Sequence, residues 1–241
     1  RRQNIVFGKE RKIDALPLVL PKLMIGKGTI KRTSSTPFLG VIIDENLTWN
    51  DHIRLVETKI ARNIGAIAKA RKYLTRTAAR SLYFSFVHPY ISYGNMVWAS
   101  TYKSKLSKIF TLQKRAVRII SYANRLTHSR PLMVQQKLLN VYELNIYKTL
   151  TFVFRHRHNL LPNVFAPYLK QIEHRYKSRM SKLGYVEKRL TGKSRFSISC
   201  RGPYLWNRIN CSTAKENSNM NNFKSELKTF LLQSTSATCI W

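Results

Sequence analysis

The spacing of apolar residues is the feature that most constrains the fold of this chain. From Ile53 to Phe154 apolar residues recur every three or four positions, which is the repeat of helices that bury one face. One helix is predicted to begin near Asp51, another near Ser104, and two more cover about 132–140 and 142–158. The inward positions predicted on these helices are Ile53, Val56, Ile60, Ile64, Ile67, Leu106, Ile109, Leu112, Ala116, Val117, Ile120, Ile146, Leu150, Val153 and Phe154.

Helix boundaries are marked by capping residues and prolines. Asn50 or Thr48 is expected to cap the helix that begins near Asp51. Thr75 or Thr77 is expected to cap a further helix, which His88-Pro89 ends because proline interrupts helical hydrogen bonding. The segment after residue 48 is therefore predicted to be a helical bundle.

The two ends of the chain have a different pattern. Short apolar runs at 4–7 and 18–30 predict strands, with a hairpin near Gly26-Lys27-Gly28, and Phe38–Ile43 is predicted to be a buried strand. After a basic linker over 170–195, the sequence predicts a strand at Arg195–Cys200, a turn at Gly202-Pro203 and a closing helix. The predicted fold is mostly α with a small N-terminal β part (α+β), ending in a small strand-turn-helix unit.

Charge narrows the choice of partner. The 241 residues contain 43 Lys and Arg against 11 Asp and Glu, a formal net charge of +32, and no acidic residue lies between Glu57 and Glu143. An ordinary solvent-exposed helix mixes charges of both signs, but this stretch offers no acid for such pairs. Its basic helices therefore predict a polyanion partner, and nucleic acid fits this pattern best.

Other classes of protein fit the sequence less well. No apolar run approaches the roughly 18 residues that a membrane span needs. Cys200, Cys211 and Cys239 are odd in number and widely spaced, which favours reduced thiols in an intracellular protein over a disulfide framework or a zinc finger. The chain begins at Arg1, without Met or a signal-peptide pattern, and is expected to be part of a longer protein.

Several segments occur in the order found in one enzyme family. They are Phe38-Leu39-Gly40-Val41-Ile42-Ile43-Asp44, Leu47–Ile53, Leu82-Tyr83, Pro89–Gly94, Val97-Trp98, the basic segment Leu112–Ile120, Arg201-Gly202-Pro203-Tyr204-Leu205-Trp206-Asn207, and Phe223–Leu232. In this order the segments resemble the region after the catalytic strands of LINE-type (non-LTR) retrotransposon reverse transcriptases, the jockey-like group especially. The resemblance covers nearly the whole chain.

The resemblance implies three parts: the end of a polymerase palm at 1–47, a helical thumb-like domain at 48–160, and a basic linker with a C-terminal extension at 161–241. In this family the thumb closes on the template–primer duplex, so the implied partners are an RNA–DNA hybrid, RNA or DNA, and the upstream palm and fingers of the same polyprotein. The resemblance also implies a nuclear location.

Catalysis by this family needs Mg²⁺ held by converging carboxylates. The family carries these in a Tyr-x-Asp-Asp turn and on an earlier strand, and this turn is expected upstream of Arg1. Asp44-Glu45 is an adjacent acidic pair, but neighbouring strand side chains point to opposite faces, so the pair is not expected to bind a metal. The chain is therefore predicted to lack catalytic residues and a metal or other cofactor of its own.

The predicted function is to bind template–primer duplex through phosphate contacts, with weak sequence preference. The predicted contact residues are Lys59, Arg62, Lys69, Arg76, Arg80, Lys108, Lys114, Arg115 and Arg118. The aromatic residues Trp49, Tyr83, Tyr93 and Trp98 could stack on bases, but their spacing beside aliphatic residues favours packing in the core.

Two alternatives stay open at this point. The chain could be an independent basic RNA-binding module of the ribosomal or mitochondrial type. It could also be the non-functional remnant of a decayed element, whose palm strands would then be exposed sheet edges.

Overall fold

The computed structural model describes residues 3–8, 24–25, 28–169, 192, 194–209 and 219–233. In this part of the chain, short strands form three two-stranded sheets. The strands are β1 (Gln3–Asn4), β2 (Met24–Ile25), β3 (Gly28–Thr29), β4 (Lys31–Arg32), β5 (Ser35–Phe38) and β6 (Val41–Asp44). β1 pairs with β4 in parallel, whereas β2–β3 and β5–β6 are antiparallel. The predicted small N-terminal β part is confirmed.

The antiparallel pairing of Met24 with Thr29 and of Ile25 with Gly28 confirms the hairpin predicted near Gly28. Of the strand predicted at 4–7, Asn4 lies in β1, but residues 5–7 are not in a strand. Residues 18–23 and 26–27 of the second predicted segment lie outside the described residues, as do residues 170–191 of the predicted linker.

The prediction of one buried strand over Phe38–Ile43 is wrong, because the chain reverses direction at Leu39-Gly40. Both turn residues have positive φ, 46° at Leu39 and 78° at Gly40, as a tight two-residue hairpin turn requires. Glycine supplies this conformation without strain at the second position. Phe38 and Leu39 are consequently exposed at the hairpin tip, and Val41 is the buried residue of β6.

Helices make up most of the remainder and confirm the mostly α class. They are α1 (Asn50–Ala70), α2 (Arg76–Phe86), α3 (His88–Ser92), α4 (Asn95–Trp98), α5 (Lys103–Ile120), α6 (Ser129–Gln135), α7 (Val141–Arg157), α8 (Ile198–Arg208) and α9 (Met220–Gln233). Short 3₁₀ turns cover Arg71–Tyr73, Asn163–Tyr168 and Ser194–Phe196. Within the described ranges, no helix is long and apolar enough to cross a bilayer.

The helix starts differ from the capping predictions in one case. Thr75 caps α2 as predicted, since its hydroxyl accepts a hydrogen bond from the Ala78 amide. At α1 neither Thr48 nor Asn50 is the cap: Trp49 occupies the cap position with φ 63° and without a side-chain cap bond. The Thr48 hydroxyl instead donates to the Asp44 carboxylate at 2.8 Å, because this acceptor is charged and close.

One hydrophobic core joins the helices on both sides of the predicted linker. Ile60, Ile109 and Phe154 are fully buried in the same cluster as Trp206 and Phe223 of the C-terminal helices. The Phe223 ring stacks on the Phe154 ring with centroids 4.2 Å apart.

The predicted strand at Arg195–Cys200 and the turn at Gly202-Pro203 are wrong, because a 3₁₀ turn and α8 occupy these positions. Tertiary packing explains the helix. A Cβ atom at Gly202 would lie 3.0 Å from Val153 Cγ2, so glycine permits α8 to approach α7 closely. The Gly-Pro pair therefore marks a helix contact, not a chain reversal.

Candidate nucleic-acid interface

The predicted contact residues lie mainly on α1 and α5, which run side by side in the same direction. At one end, Lys105 Nζ donates to the Thr48 carbonyl over 2.8 Å. At the other end, the Tyr122 hydroxyl donates to the carbonyl of Arg71 at 3.0 Å and to that of Leu74. These bonds tie together the two starts and the two ends, so α1 and α5 form one parallel pair.

The inward positions of the pair determine which basic side chains face solvent. Two residues along an α-helix correspond to a rotation of about 200°, so their side chains point in nearly opposite directions. Arg62 is two residues from both Ile60 and Ile64, which are buried. Lys69 is likewise two residues from the buried Ile67, and Arg115 is two residues from the buried Gln113 and Val117. All three basic residues are exposed, opposite the buried positions.

The outward cations of these two helices form one surface, the basic face. Its members from the predicted set are Arg62, Lys69, Lys108, Arg115 and Arg118. Arg118 is half-buried, and its Nε atom donates to the Thr127 carbonyl at 2.7 Å. Arg76 is exposed at the start of α2, directly after the segment that the Tyr122 hydroxyl joins to the end of α5.

Lys59 and Lys114 point to the flanks of the pair instead. The Lys59 ammonium lies 5.3 Å from the centre of the Tyr90 ring, and a cavity of about 360 Å³ beside it is also lined by His52 and Tyr93. The Lys114 ammonium lies 4.7 Å from the centre of the Phe110 ring. Each ammonium is thus held against an aromatic ring by a cation–π attraction.

Arg80 does not join the basic face. Its guanidinium stacks on Phe84 at 4.8 Å and donates to the Gln136 carbonyl at 3.4 Å, which places it beside the loop between α6 and α7. Of the predicted contact residues, Arg80 is therefore the one that lies beside the loop between α6 and α7, away from the α1–α5 pair.

Acidic residues at the two ends of the acid-free stretch neutralise part of its charge. Lys108 Nζ pairs with the Glu57 carboxylate at 3.1 Å, and Arg130 pairs with Glu143. Glu143 also completes a capping box at α7, where its carboxylate accepts from the Asn140 amide at 3.0 Å. Burial raises the pKa of Glu143, and the bonds from Asn140 and Arg130 oppose that rise.

The Asp44-Glu45 pair has a structural role that does not fit a metal site. The Asp44 carboxylate accepts from the Thr48 and Trp49 amides at 2.7 and 2.8 Å, and thereby fixes the entry to α1. Burial would raise its pKa, but these hydrogen bonds outweigh burial and hold the pKa of Asp44 below its ordinary value. Glu45 pairs with Arg32 at 3.5 Å.

No group of three His, Cys, Asp or Glu side chains that could hold a metal ion occurs among the described residues. The carboxylates at the end of β6 are engaged in the hydrogen bonds to Thr48 and Trp49 and in the ion pair with Arg32. The expectation about Mg²⁺ in an upstream core stays a prediction.

The aromatic residues mainly build the core. Tyr83 and Trp98 are fully buried, and Trp49 packs against the core while half-buried. Burial raises the pKa of Tyr83 to about 12, although a hydrogen bond from Gln113 opposes the rise. Tyr93 is 57% exposed, and its hydroxyl donates to the Leu39 carbonyl at the hairpin tip.

Sequence reasoning missed two features of this region. Arg54 is exposed on α1, two residues before the buried Val56, and the helical repeat could have identified it. It precedes Glu57 and so falls outside the acid-free stretch. Gln113 is fully buried inside the basic helix α5, where a residue of this type is normally expected at the surface.

Comparison with known proteins identifies three similar polymerases, all from Drosophila melanogaster. The chain is 32% identical over 107 residues, 43% of its length, to the RNA-directed DNA polymerase from mobile element jockey. It is 22% identical over 146 residues, 59% of its length, to the probable RNA-directed DNA polymerase from transposon X-element. It is 26% identical over 95 residues, 38% of its length, to the probable enzyme from transposon BS.

The matches cover 15%, 12% and 10% of the X-element, jockey and BS proteins, so the chain spans a small part of the length of these relatives. No protein-family model matches the chain. No solved structure is significantly similar to it. The three similarities confirm the resemblance to non-LTR retrotransposon reverse transcriptases.

Proposed function

We propose that this relative of non-LTR RNA-directed DNA polymerases holds a nucleic-acid duplex on its basic face. In this proposal the duplex is the RNA–DNA hybrid that such a polymerase makes. The polymerases to which the chain is similar act on nucleic acid according to their names. The wider proposal is that the chain is the template–primer-holding part of such an enzyme.

The observation that carries the proposal is the parallel pair of α1 and α5. Two helices fixed side by side present Arg54, Arg62, Lys69 and Arg115 outward, and Lys108 is the member of the basic face with an acidic partner among the described residues. Because the helical backbone that carries these cations is already ordered, they can contact successive phosphates without a backbone rearrangement, which lowers the entropy lost in association.

The expected binding is electrostatic and weakly sequence-specific. About six contacts, with roughly 0.9 counterions released per phosphate of a duplex, predict that log K falls against log salt with a slope of about −5. Phosphate contacts position a duplex without reading its bases. Affinity is therefore expected to change little with base sequence.

We further propose that the chain contributes binding and not nucleotide addition. The sequence has Asp14, Asp44 and Asp51 as its aspartates, and none is adjacent to another, unlike the Tyr-x-Asp-Asp turn of the family. The chain alone is expected to show no polymerase activity with Mg²⁺ and an RNA–DNA primer. Incorporation of nucleotides above background would contradict this part of the proposal.

The test of duplex binding is a salt titration on an RNA–DNA hybrid of about 20 base pairs, beside single-stranded RNA of the same length. A variant with Arg62, Lys69 and Arg115 changed to Gln removes three outward cations of α1 and α5. Its slope for the hybrid is expected to be smaller in magnitude by about 2.7, since each lost contact removes about 0.9.

The matched control changes Arg155, Arg195 and Arg208 to Gln, three exposed cations on α7, α8 and the 3₁₀ turn before it. It removes the same charge from residues that are not members of the basic face. Preference for the hybrid with a larger loss in the first variant supports the proposal. Equal losses in both variants, or equal binding to every polyanion, would show general charge attraction and remove the duplex-holding role.

A nuclear location follows from the same proposal, because a reverse transcriptase of this kind acts on chromosomal DNA. Microscopy of the tagged full-length parent protein in its own cells tests this, and exclusion from the nucleus at all times would contradict it.

A further inference from the structure

A second group of basic side chains converges from three separate parts of the chain. Arg80 comes from α2, Lys137 follows α6, and Lys228 comes from α9. These three residues are called the Lys228 cluster. The Arg80 guanidinium donates to the Gln136 carbonyl at 3.4 Å, which places it next to Lys137, and the positive charges of Arg80 and Lys137 both act on Lys228.

The position of Lys228 is fixed by the packing of α9. Leu227 and Leu231 on either side of it are buried, and Phe223 stacks on Phe154 one turn earlier. Arg130 also donates to the Leu231 and Leu232 carbonyls at 3.0 and 2.9 Å, which closes the end of α9 onto the bundle. Lys228 is itself half-buried on this packed helix.

Neighbouring groups add to the positive field instead of balancing it. The pKa of Lys228 is lowered first by burial and then by Arg80 and Lys137, whereas the pKa of His88 is lowered by burial and then by Lys148 and Lys228. Lys148 Nζ donates to the Ser92 hydroxyl at 2.9 Å and to the Ser92 carbonyl.

Acidic partners for the cluster are absent from the described part of the chain. None of the ion pairs Arg32–Glu45, Lys108–Glu57 and Arg130–Glu143 involves a member of the cluster. Glu226 is two residues from Lys228, so it points about 160° away on the same helix. Holding like charges together costs folding free energy, and an anion bound from outside would offset that cost.

We propose that the Lys228 cluster is a second phosphate-binding site, which binds backbone phosphates of nucleic acid away from the basic face. Nucleic acid is favoured over a small anion because the three cations lie on a chain that is basic along most of its length. In this arrangement α2 and the loop before α7 supply two of the cations, and α9 supplies the third. The proposal does not depend on the basic face binding a duplex.

The first measurement compares Lys228→Gln with Lys224→Gln in the full chain. Both changes lie on α9 and remove one charge, and they differ in that Lys228 belongs to the cluster. Lys228→Gln is expected to weaken binding to a hybrid of about 30 base pairs and to reduce the salt slope by about 0.9, more than Lys224→Gln does. Its melting temperature is expected to stay equal or rise, because repulsion inside the cluster is relieved.

A triple change of Arg80, Lys137 and Lys228 to Gln extends the test. It is expected to reduce the slope by about 2.7, against a smaller reduction for the control triple at Arg155, Arg195 and Arg208. Equal reductions in the two triples would overturn the proposal. Lys228→Arg keeps the charge and is expected to retain binding, so loss of binding in this variant would also overturn it.

Two further probes identify the source of the phosphate. Inorganic phosphate at about 10 mM and vesicles containing about 20% phosphatidylserine replace the hybrid. If Lys228→Gln weakens binding of inorganic phosphate or of the vesicles but leaves binding of the hybrid unchanged, the assignment to nucleic acid is overturned. The variant with Arg62, Lys69 and Arg115 changed to Gln separates the two proposals. Loss of hybrid binding in the cluster triple alone contradicts duplex holding on α1 and α5. Loss of hybrid binding in the basic-face variant alone contradicts the second site.

Discussion

Lys108 Nζ lies 3.1 Å from the Glu57 carboxylate, so one predicted nucleic-acid contact is already paired within the protein. The Glu57 side chain is 12% exposed and the Lys108 side chain is 73% exposed. The carboxylate is therefore shielded between α1 and α5, while the ammonium reaches solvent. A phosphate that approaches Lys108 must compete with Glu57 for the same charge.

Replacing Glu57 by Gln is expected to strengthen nucleic-acid binding. The change frees Lys108 and adds one net positive charge, so the salt slope for a hybrid should steepen by up to about 0.9. Stability should change by less than about 1 kcal/mol, because pairs with an exposed partner contribute little. Glu45→Gln is the control, since it adds the same charge beside Arg32. Equal gains in both variants would show that net charge alone sets affinity.

Replacing Gln113 by Leu is expected to destabilise the fold by about 3–4 kcal/mol. The Gln113 amide donates to the Tyr83 hydroxyl at 3.1 Å and the Leu139 carbonyl at 2.9 Å, and accepts from the Val141 amide at 2.9 Å. Each buried group left without a partner costs about 1–3 kcal/mol. Urea unfolding measures the effect, with the exposed Gln135→Leu as control. A change below about 1 kcal/mol at Gln113 would contradict the role of this amide.

Replacing Asp44 by Asn is expected to cost about 1–2 kcal/mol at pH 7, because it removes the charge and one of the two oxygens that accept from the Thr48 and Trp49 amides. The pKa of Asp44 is held below its ordinary value of 3.8 by Thr48 and Trp49, so the carboxylate stabilises the fold above that pH. This contribution falls as pH drops through the lowered pKa. Urea unfolding at several pH values should therefore show the difference between the wild type and the variant shrinking as pH falls below 3.8. A difference that stays constant with pH would contradict this mechanism.

Replacing Gly202 by Val is expected to destabilise the fold by about 2–3 kcal/mol. The added Cβ would lie 3.0 Å from Val153 Cγ2 and 3.3 Å from Leu169 Cδ2, and the further methyl groups overpack this contact. Thermal unfolding should show one transition at a lower temperature, because α8 shares the core of α7. An unchanged melting temperature would contradict this packing. So would two transitions, of which only one, from the C-terminal helices, shifts in the variant. Tyr204→Val, on the exposed side of α8, is the matched control.

Local patterns predicted much of the helical part correctly. The repeat of Ile53, Ile60 and Ile67 predicted the buried side of α1. Thr75, one of the two residues predicted to cap α2, is its cap, because capping depends on residues three positions apart. The strand-like residues before Cys200 were misassigned. β-Propensity is easily overridden by tertiary contacts, and here the contact of Gly202 with α7 accompanies a helix.

The sequence by itself determined the helical repeat, the long stretch without acids and the resulting positive charge, because these properties depend on the order of neighbouring residues. The tertiary structure decided which charges are paired and which converge. Glu57 meets Lys108, and Arg80 reaches the Gln136 carbonyl beside Lys137, only because packing of buried apolar faces brings distant segments together. Hydrophobic packing is non-directional, and its local pattern does not specify which partner a face will meet.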